Sequence, residues 1–176
     1  VLVTLTVNAV NDAPVNRVPG PQETAINTAE EFSNPSNRIS ISDVDAGAAT
    51  VRVELTATNG TVTLPGATGL VTSTGSGTAA MSITGSIANI NLSLARATFT
   101  PTLNFAGAAT LTIATNDLGN SPAVLLPNTV NTIPITIRPL GIFSGAVVVA
   151  AINPFLLAGS AIDSVATTAI NLWNYN

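Results

Sequence analysis

The chain has 176 residues, 46% of them hydrophobic and only 8% charged, with a net charge of -4 and a pI near 4.4. Its basic residues are five arginines and no lysine, so it has no basic patch to neutralise phosphates, and a nucleic-acid partner is excluded. With no His, Cys or Lys it can build no Ser-His triad, thiol nucleophile, Schiff base, disulfide or Lys-Asn isopeptide cross-link, and the chain reads as non-enzymatic.

The length suits one domain of usual size with extensions, and the abundance of Thr, Val, Ala, Asn and Gly suits many strands and tight turns. Residues 1–7 (VLVTLTV) alternate apolar residues with Thr and predict a half-buried strand that has no hairpin partner before it. Val3-Thr4-Leu5-Thr6-Val7 is echoed by Ile133-Pro134-Ile135-Thr136-Ile137. Residues 1–10 are therefore expected to be the last strand of a preceding repeat, or a strand donated to a neighbour's sheet. No basic-then-apolar leader opens the chain, which is read as an internal fragment or a processed chain.

Asn11-Asp12-Ala13-Pro14 then forms a short, proline-stiffened linker, and residues 13–31 are polar and extended, restricted by Pro14, Pro19, Gly20 and Pro21. Residues 39–41 make a short strand that runs into the loop Ser42-Asp43-Val44-Asp45-Ala46-Gly47. Residues 51–57 alternate, Asn59-Gly60 predicts a type I′ turn, and residues 61–64 return as the second strand of a hairpin. Residues 69–73 and 80–84 are two more strands around a Gly/Ser/Thr turn. Ser86 caps a short helix that turns Ile87, Ile90 and Leu94 inward. A strand opens at Phe99 and ends at Pro101, residues 109–115 alternate as a central strand, and Asn116-Asp117-Leu118-Gly119-Asn120 is a loop. Residues 132–138 close a set of about seven strands. This pattern predicts an all-β fold, a Greek-key β-sandwich of immunoglobulin type over residues 11–139 with one short helix.

Four of the five aspartates, Asp12, Asp43, Asp45 and Asp117, lie in the linker or in loops. If those loops share one end of the sandwich, their carboxylates repel one another in the absence of a cation. Asn11, Asp12, Asp43, Asp45, Asn116 and Asp117 are thus a candidate calcium set, with backbone carbonyls completing the six to eight oxygens that calcium takes. The plainer reading is that Asp and Asn are common in loops because they cap turns. Asn59-Gly60-Thr61 and Asn91-Leu92-Ser93 fit the glycosylation pattern, but the turn and the helix account for both.

The runs VNAVNDAPV, SDVDAGAATVRVELTATNGTVTL and ITGSIANINLSLARATFTPTLNFAGAATLTIATNDLGN, in this order and spacing, resemble the cadherin-like tandem repeats of large bacterial surface and secreted adhesins. The resemblance covers roughly residues 8–138. It implies an extracellular β-sandwich joined end to end with others, often stiffened by calcium at the junctions. Where such repeats carry an early acidic pair, this chain has Ile26 and Asn27, with Glu23, Glu30 and Glu31 nearby.

After Arg138 the pattern stops: Pro139-Leu140-Gly141-Ile142 stands where a second Asn-Asp-Ala-Pro linker is expected, so this reads as the last repeat. Residues 142–176 carry one charge, Asp163. Residues 142–162 could anchor in a membrane, but Asn153 and Pro154 interrupt them and no Lys or Arg follows. The alternatives are fold-back onto the sandwich as a strand and a helix, or packing on a neighbouring subunit. The expectation is an extracellular or cell-surface structural module of an adhesive or filament-forming protein, partnered by copies of itself or by adjacent repeats, with residues 140–176 as an assembly segment. The alternative is an adhesin module that recognises a surface or matrix glycan through its loops, although 4% aromatic content provides little to stack a sugar.

Overall fold

The computed structural model describes residue 3 and residues 10–66, 69–119 and 128–140. The expected strand at residues 1–7 and the apolar segment 142–176 lie outside the described residues, apart from Val3. The chain divides into two units after Gly141, and the fold below belongs to the first.

The described residues form an all-β sandwich with one short helix. In chain order the elements are β1 (Val15–Arg17), β2 (Gln22–Ala25), β3 (Glu30–Glu31), β4 (Ser40–Ser42), β5 (Thr50–Thr58), β6 (Gly60–Thr63), β7 (Thr72–Thr74) and β8 (Ala80–Ser86). They continue with α1 (Ile87–Leu94), β9 (Thr98–Pro101), β10 (Gly107–Asn116) and β11 (Thr129–Arg138). One sheet has six strands in the order β2-β11-β10-β5-β8-β7. A three-stranded sheet, β3-β9-β6, and a two-stranded one, β1-β4, complete the described β-structure.

The period-2 pattern explains the central strands. Val51, Val53 and Leu55 of β5, Leu111 and Ile113 of β10, and Ile133, Ile135 and Ile137 of β11 are all buried, with Thr, Pro134 and charged residues between them. They join Phe32, Ile39, Ile41, Val62 and Phe99 in one core. Each such side chain stabilises the fold by roughly 1.5–3 kcal/mol, and truncating fully buried Phe99 to Ala would cost about 3–5 kcal/mol. On the solvent side, cross-strand threonine pairs align the sheet: Thr58 with Thr110 at 3.0 Å and Thr112 with Thr132 at 3.1 Å.

The helix is eight residues long, too short to hold alone, so its stability comes from packing. Ile90 and Leu94 are fully buried, Ile87 packs against the core, and the Ser86 hydroxyl accepts the Asn89 N–H. From the same helix, the Asn91 amide accepts the Ile41 N–H at 2.8 Å and donates to the Ile41 carbonyl at 2.9 Å. It takes the place of a strand along the free edge of β4.

Two expectations need correction. The strands number eleven among the described residues, not about seven, because residues 13–31 form three short pieces where prolines interrupt the backbone. The hairpin at Asn59-Gly60 does not exist: β5 pairs with β10 and β8, whereas β6 pairs with β9 in the other sheet. A type I′ turn needs positive φ at both central residues, and only Asn59 has it, at 52°. The chain instead crosses between sheets. Asn59 holds the crossing by donating to the Ala108 carbonyl at 2.9 Å and accepting the Thr102 N–H at 2.9 Å. Gly60 is required by packing, since a Cβ there would meet the Phe99 ring and come within 2.7 Å of the Thr100 carbonyl.

Candidate functional site: the linker pole

The register β10–β5 pairs Asn116 with Arg52, so the loop that leaves β10 and the loop that enters β5 open at the same end of the six-stranded sheet. The linker arrives at this end too. Asn11 is buried and donates from Nδ2 to Asp117 Oδ2 at 2.6 Å, and Asp117 itself is 1% exposed. Asp12 is exposed and uses its backbone, its N–H donating to Asp45 Oδ2 at 2.9 Å. Pro14 is buried directly after them. Two hydrogen bonds to two different loops therefore latch the linker onto the pole.

Each loop is shaped by its own side chains. Asp43 Oδ1 accepts the N–H groups of Asp45 and Ala46, both at 3.0 Å, the self-capping expected of Asp in a turn. Gly47, at φ 54°, then takes a left-handed conformation that a side chain would resist. In the other loop Asn116 Oδ1 accepts the Leu118 N–H at 2.8 Å and Asp117 Oδ1 accepts the Gly119 N–H at 3.1 Å. These bonds hold Leu118 at φ 61°, which is costly for a branched residue and is tolerated because both sides are fixed.

The six candidate ligands divide into groups. Asn11 and Asp117 pair with each other, Asp43 and Asp45 form a carboxylate pair bonded to the Asp12 backbone, and the Asn116 amide donates to Asn128 Oδ1 at 2.9 Å, which pins its loop. Among the described residues no three Asp, Glu, His or Cys side chains are grouped to hold a metal ion. The set is not a single carboxylate shell, because Asn11 engages Asp117 and Asp12 turns its N–H, not its carboxylate, toward Asp45.

The Asp43–Asp45 pair does have the donor chemistry of a hard cation. Asp43 Oδ2 and Asp45 Oδ1 are shielded from solvent with no hydrogen-bond partner, although both residues are only half-buried; the loop itself covers them. Desolvation, and then the neighbouring Asp45 carboxylate, raise the Asp43 carboxyl above the ordinary Asp value. The neighbouring Asp43 carboxyl, and then the Asp12 N–H, lower Asp45. The two carboxylates work against each other's charge, and a divalent cation would relieve such a pair. Calcium fits Asp43 and Asp45 in ligand type, and these are the residues that would hold it.

A buried polar network behind the latch was not anticipated. Asn16 accepts the Thr115 hydroxyl at Oδ1, at 2.6 Å, and donates from Nδ2 to the Thr129 carbonyl at 2.8 Å, stitching β1 to β10 and β11. Its signal in the sequence is the inverted pattern of β1, in which Val15 faces solvent and Asn16 faces inward. The early acidic residues serve elsewhere: Glu23 pairs with Arg138 at 2.6 Å, at the far end of β11 from Thr129, and Glu30 accepts the Asn37 amide at 3.0 Å. Asn59 and Asn91 are both engaged with backbone groups, in keeping with structural roles. No helix of the described residues is long and apolar enough to cross a membrane. No family model, curated protein or solved structure matches the chain.

Proposed function

We propose that this chain is a non-enzymatic structural module of a bacterial surface, adhesive or filament-forming protein, acting outside the cell. In this reading the Asn11–Pro14 linker is a rigid joint to a preceding module. The observation that carries the reading is the double latch of the linker, Asn11 to Asp117 and the Asp12 backbone to Asp45. A flexible tether has no need of a buried hydrogen bond to its own domain. Val10, Val44 and Leu118, each next to a latch residue in sequence, are exposed apolar groups that support an adjoining body at this pole. Calcium, held by Asp43 and Asp45, supplies the positive charge that stiffens the joint, and the apolar segment 140–176 packs against neighbouring subunits.

Thermal melting with calcium and with chelator tests the joint. Chelation is expected to lower the melting temperature of the native chain and to leave the double variant Asp43→Asn/Asp45→Asn unchanged. Superimposable curves for the native chain would remove calcium from the account. Electron microscopy and light scattering test the assembly role: concentration-dependent particles or fibres are expected without added ligand, and they should vanish when residues 140–176 are deleted. A chain that stays monomeric at every concentration would contradict it.

A further inference from the structure

The inverted pattern of β1 has a second effect. With Asn16 inward, Arg17 faces out, and the antiparallel register β1–β4 sets it opposite Ser40. Arg38 lies just before β4, beyond fully buried Ile39, and is exposed like Arg17. Arg17, Arg38, Ser40, Pro35 and Asn91 line a cleft of about 390 Å³. The ion pairs among the described residues are Arg52 with Glu54 and Arg138 with Glu23. Neither Arg17 nor Arg38 takes part in one, and no carboxylate lines the cleft.

Two like charges near one another repel, and an acidic chain with only five arginines has two of them at one cleft with no counter-ion among the described residues. We infer that the cleft binds a small hydroxylated carboxylate of the sugar-acid class. The guanidinium fork matches a planar carboxylate through two parallel N–H bonds, and two forks converge on the same space. The Ser40 hydroxyl and the Asn91 amide, one N–H of which is committed to the Ile41 carbonyl, add polar groups suited to sugar hydroxyls. The volume is at the lower end for small-molecule sites and suits one saccharide unit. No aromatic ring lines the cleft, so a neutral sugar has neither stacking nor charge to hold it. The site shares no residue with the linker latch, and its test is independent of the joint.

The test is a titration of the full chain with D-glucuronate, D-glucose and inorganic phosphate, followed by amide NMR shifts. A disaccharide ending in glucuronate distinguishes a free acid from a glycan terminus. Glucuronate should give saturable shifts at Arg17, Ser40 and Asn91, and glucose none. Arg17→Gln/Arg38→Gln should weaken binding by about tenfold or more, since two charge-assisted contacts are lost. Both arginines are exposed, so the variant should keep the native melting temperature, and its unchanged spectrum elsewhere shows that it is folded. Binding of the disaccharide assigns the cleft to a glycan end, and binding of glucuronate alone assigns it to a free acid; either supports the inference. No saturable shift, equal binding of phosphate, or binding retained by the double variant would overturn it.

Discussion

Replacing Asn11 by Ala removes the donor that holds the linker to Asp117. The bond is short, at 2.6 Å, and both residues are buried, so water cannot replace the lost amide without opening the loop. Hydrogen bonds to charged acceptors contribute about 1.5–3 kcal/mol, and a stranded buried acceptor keeps its desolvation cost. Asp117 retains only part of its partners, with Oδ1 still accepting the Gly119 N–H. We therefore expect Asn11→Ala to destabilise the sandwich by about 2 kcal/mol. Urea denaturation followed by circular dichroism reads this as a lower midpoint at unchanged slope. Val10→Ala is the control: this neighbour is exposed, and its truncation should stay within about 0.5 kcal/mol of the native chain. A loss below about 0.5 kcal/mol for Asn11→Ala as well would refute the reasoning, because it would mean that the linker opens without disturbing the domain.

Asp43→Asn should raise stability at neutral pH in the absence of calcium. Asn keeps the Oδ1 that accepts the Asp45 and Ala46 N–H groups and removes the charge that opposes the Asp45 carboxylate. The signs are opposite for the two partners. The folded Asp43 carboxyl lies above its unfolded value of 3.8, so its contribution is present below that value and is lost as pH rises through the raised one. Asp45 is lowered, so its contribution is present above the unfolded value and is lost as pH falls through the folded one. The advantage of the variant should thus open as pH rises past the ordinary Asp range and close below it; a pH-independent gap in the melting curves would refute the coupling between the two carboxyls. Gly60→Ala should cost about 1–3 kcal/mol in chemical denaturation, because the added methyl meets the Phe99 ring and the Thr100 carbonyl. A neutral result would show that the Phe99 ring gives way and that packing does not require glycine there.

Elements whose pattern and packing agree were legible in the sequence. Alternation over residues 51–57, 109–115 and 132–138 predicts β5, β10 and β11, and Ser86 followed by Ile87, Ile90 and Leu94 predicts the helix, because each buried face is written in local spacing. Asn59-Gly60 misled for a tertiary reason. The same dipeptide serves a hairpin or a crossing, and which one forms depends on the pairing of β6 with β9, far away in sequence. The meeting of the linker with the loops at 43–45 and 116–119 was expected from their place between strands, but the division of labour there was not. Whether Asn11 turns to Asp117 or to a shared cation depends on distances that no spacing rule contains. Asn16 and Arg17 escaped notice because three residues are too few to display an inverted alternation.

The rigid joint is tested most directly at one backbone group, the Asp12 N–H that donates to Asp45 Oδ2. Asp12 is an exposed residue, so slow exchange of its amide would report the hydrogen bond of the latch. Residue-resolved exchange should find this amide protected, more so with calcium and less so in Asn11→Ala. Exchange at the rate of an unstructured linker, with calcium and without it, would contradict the joint.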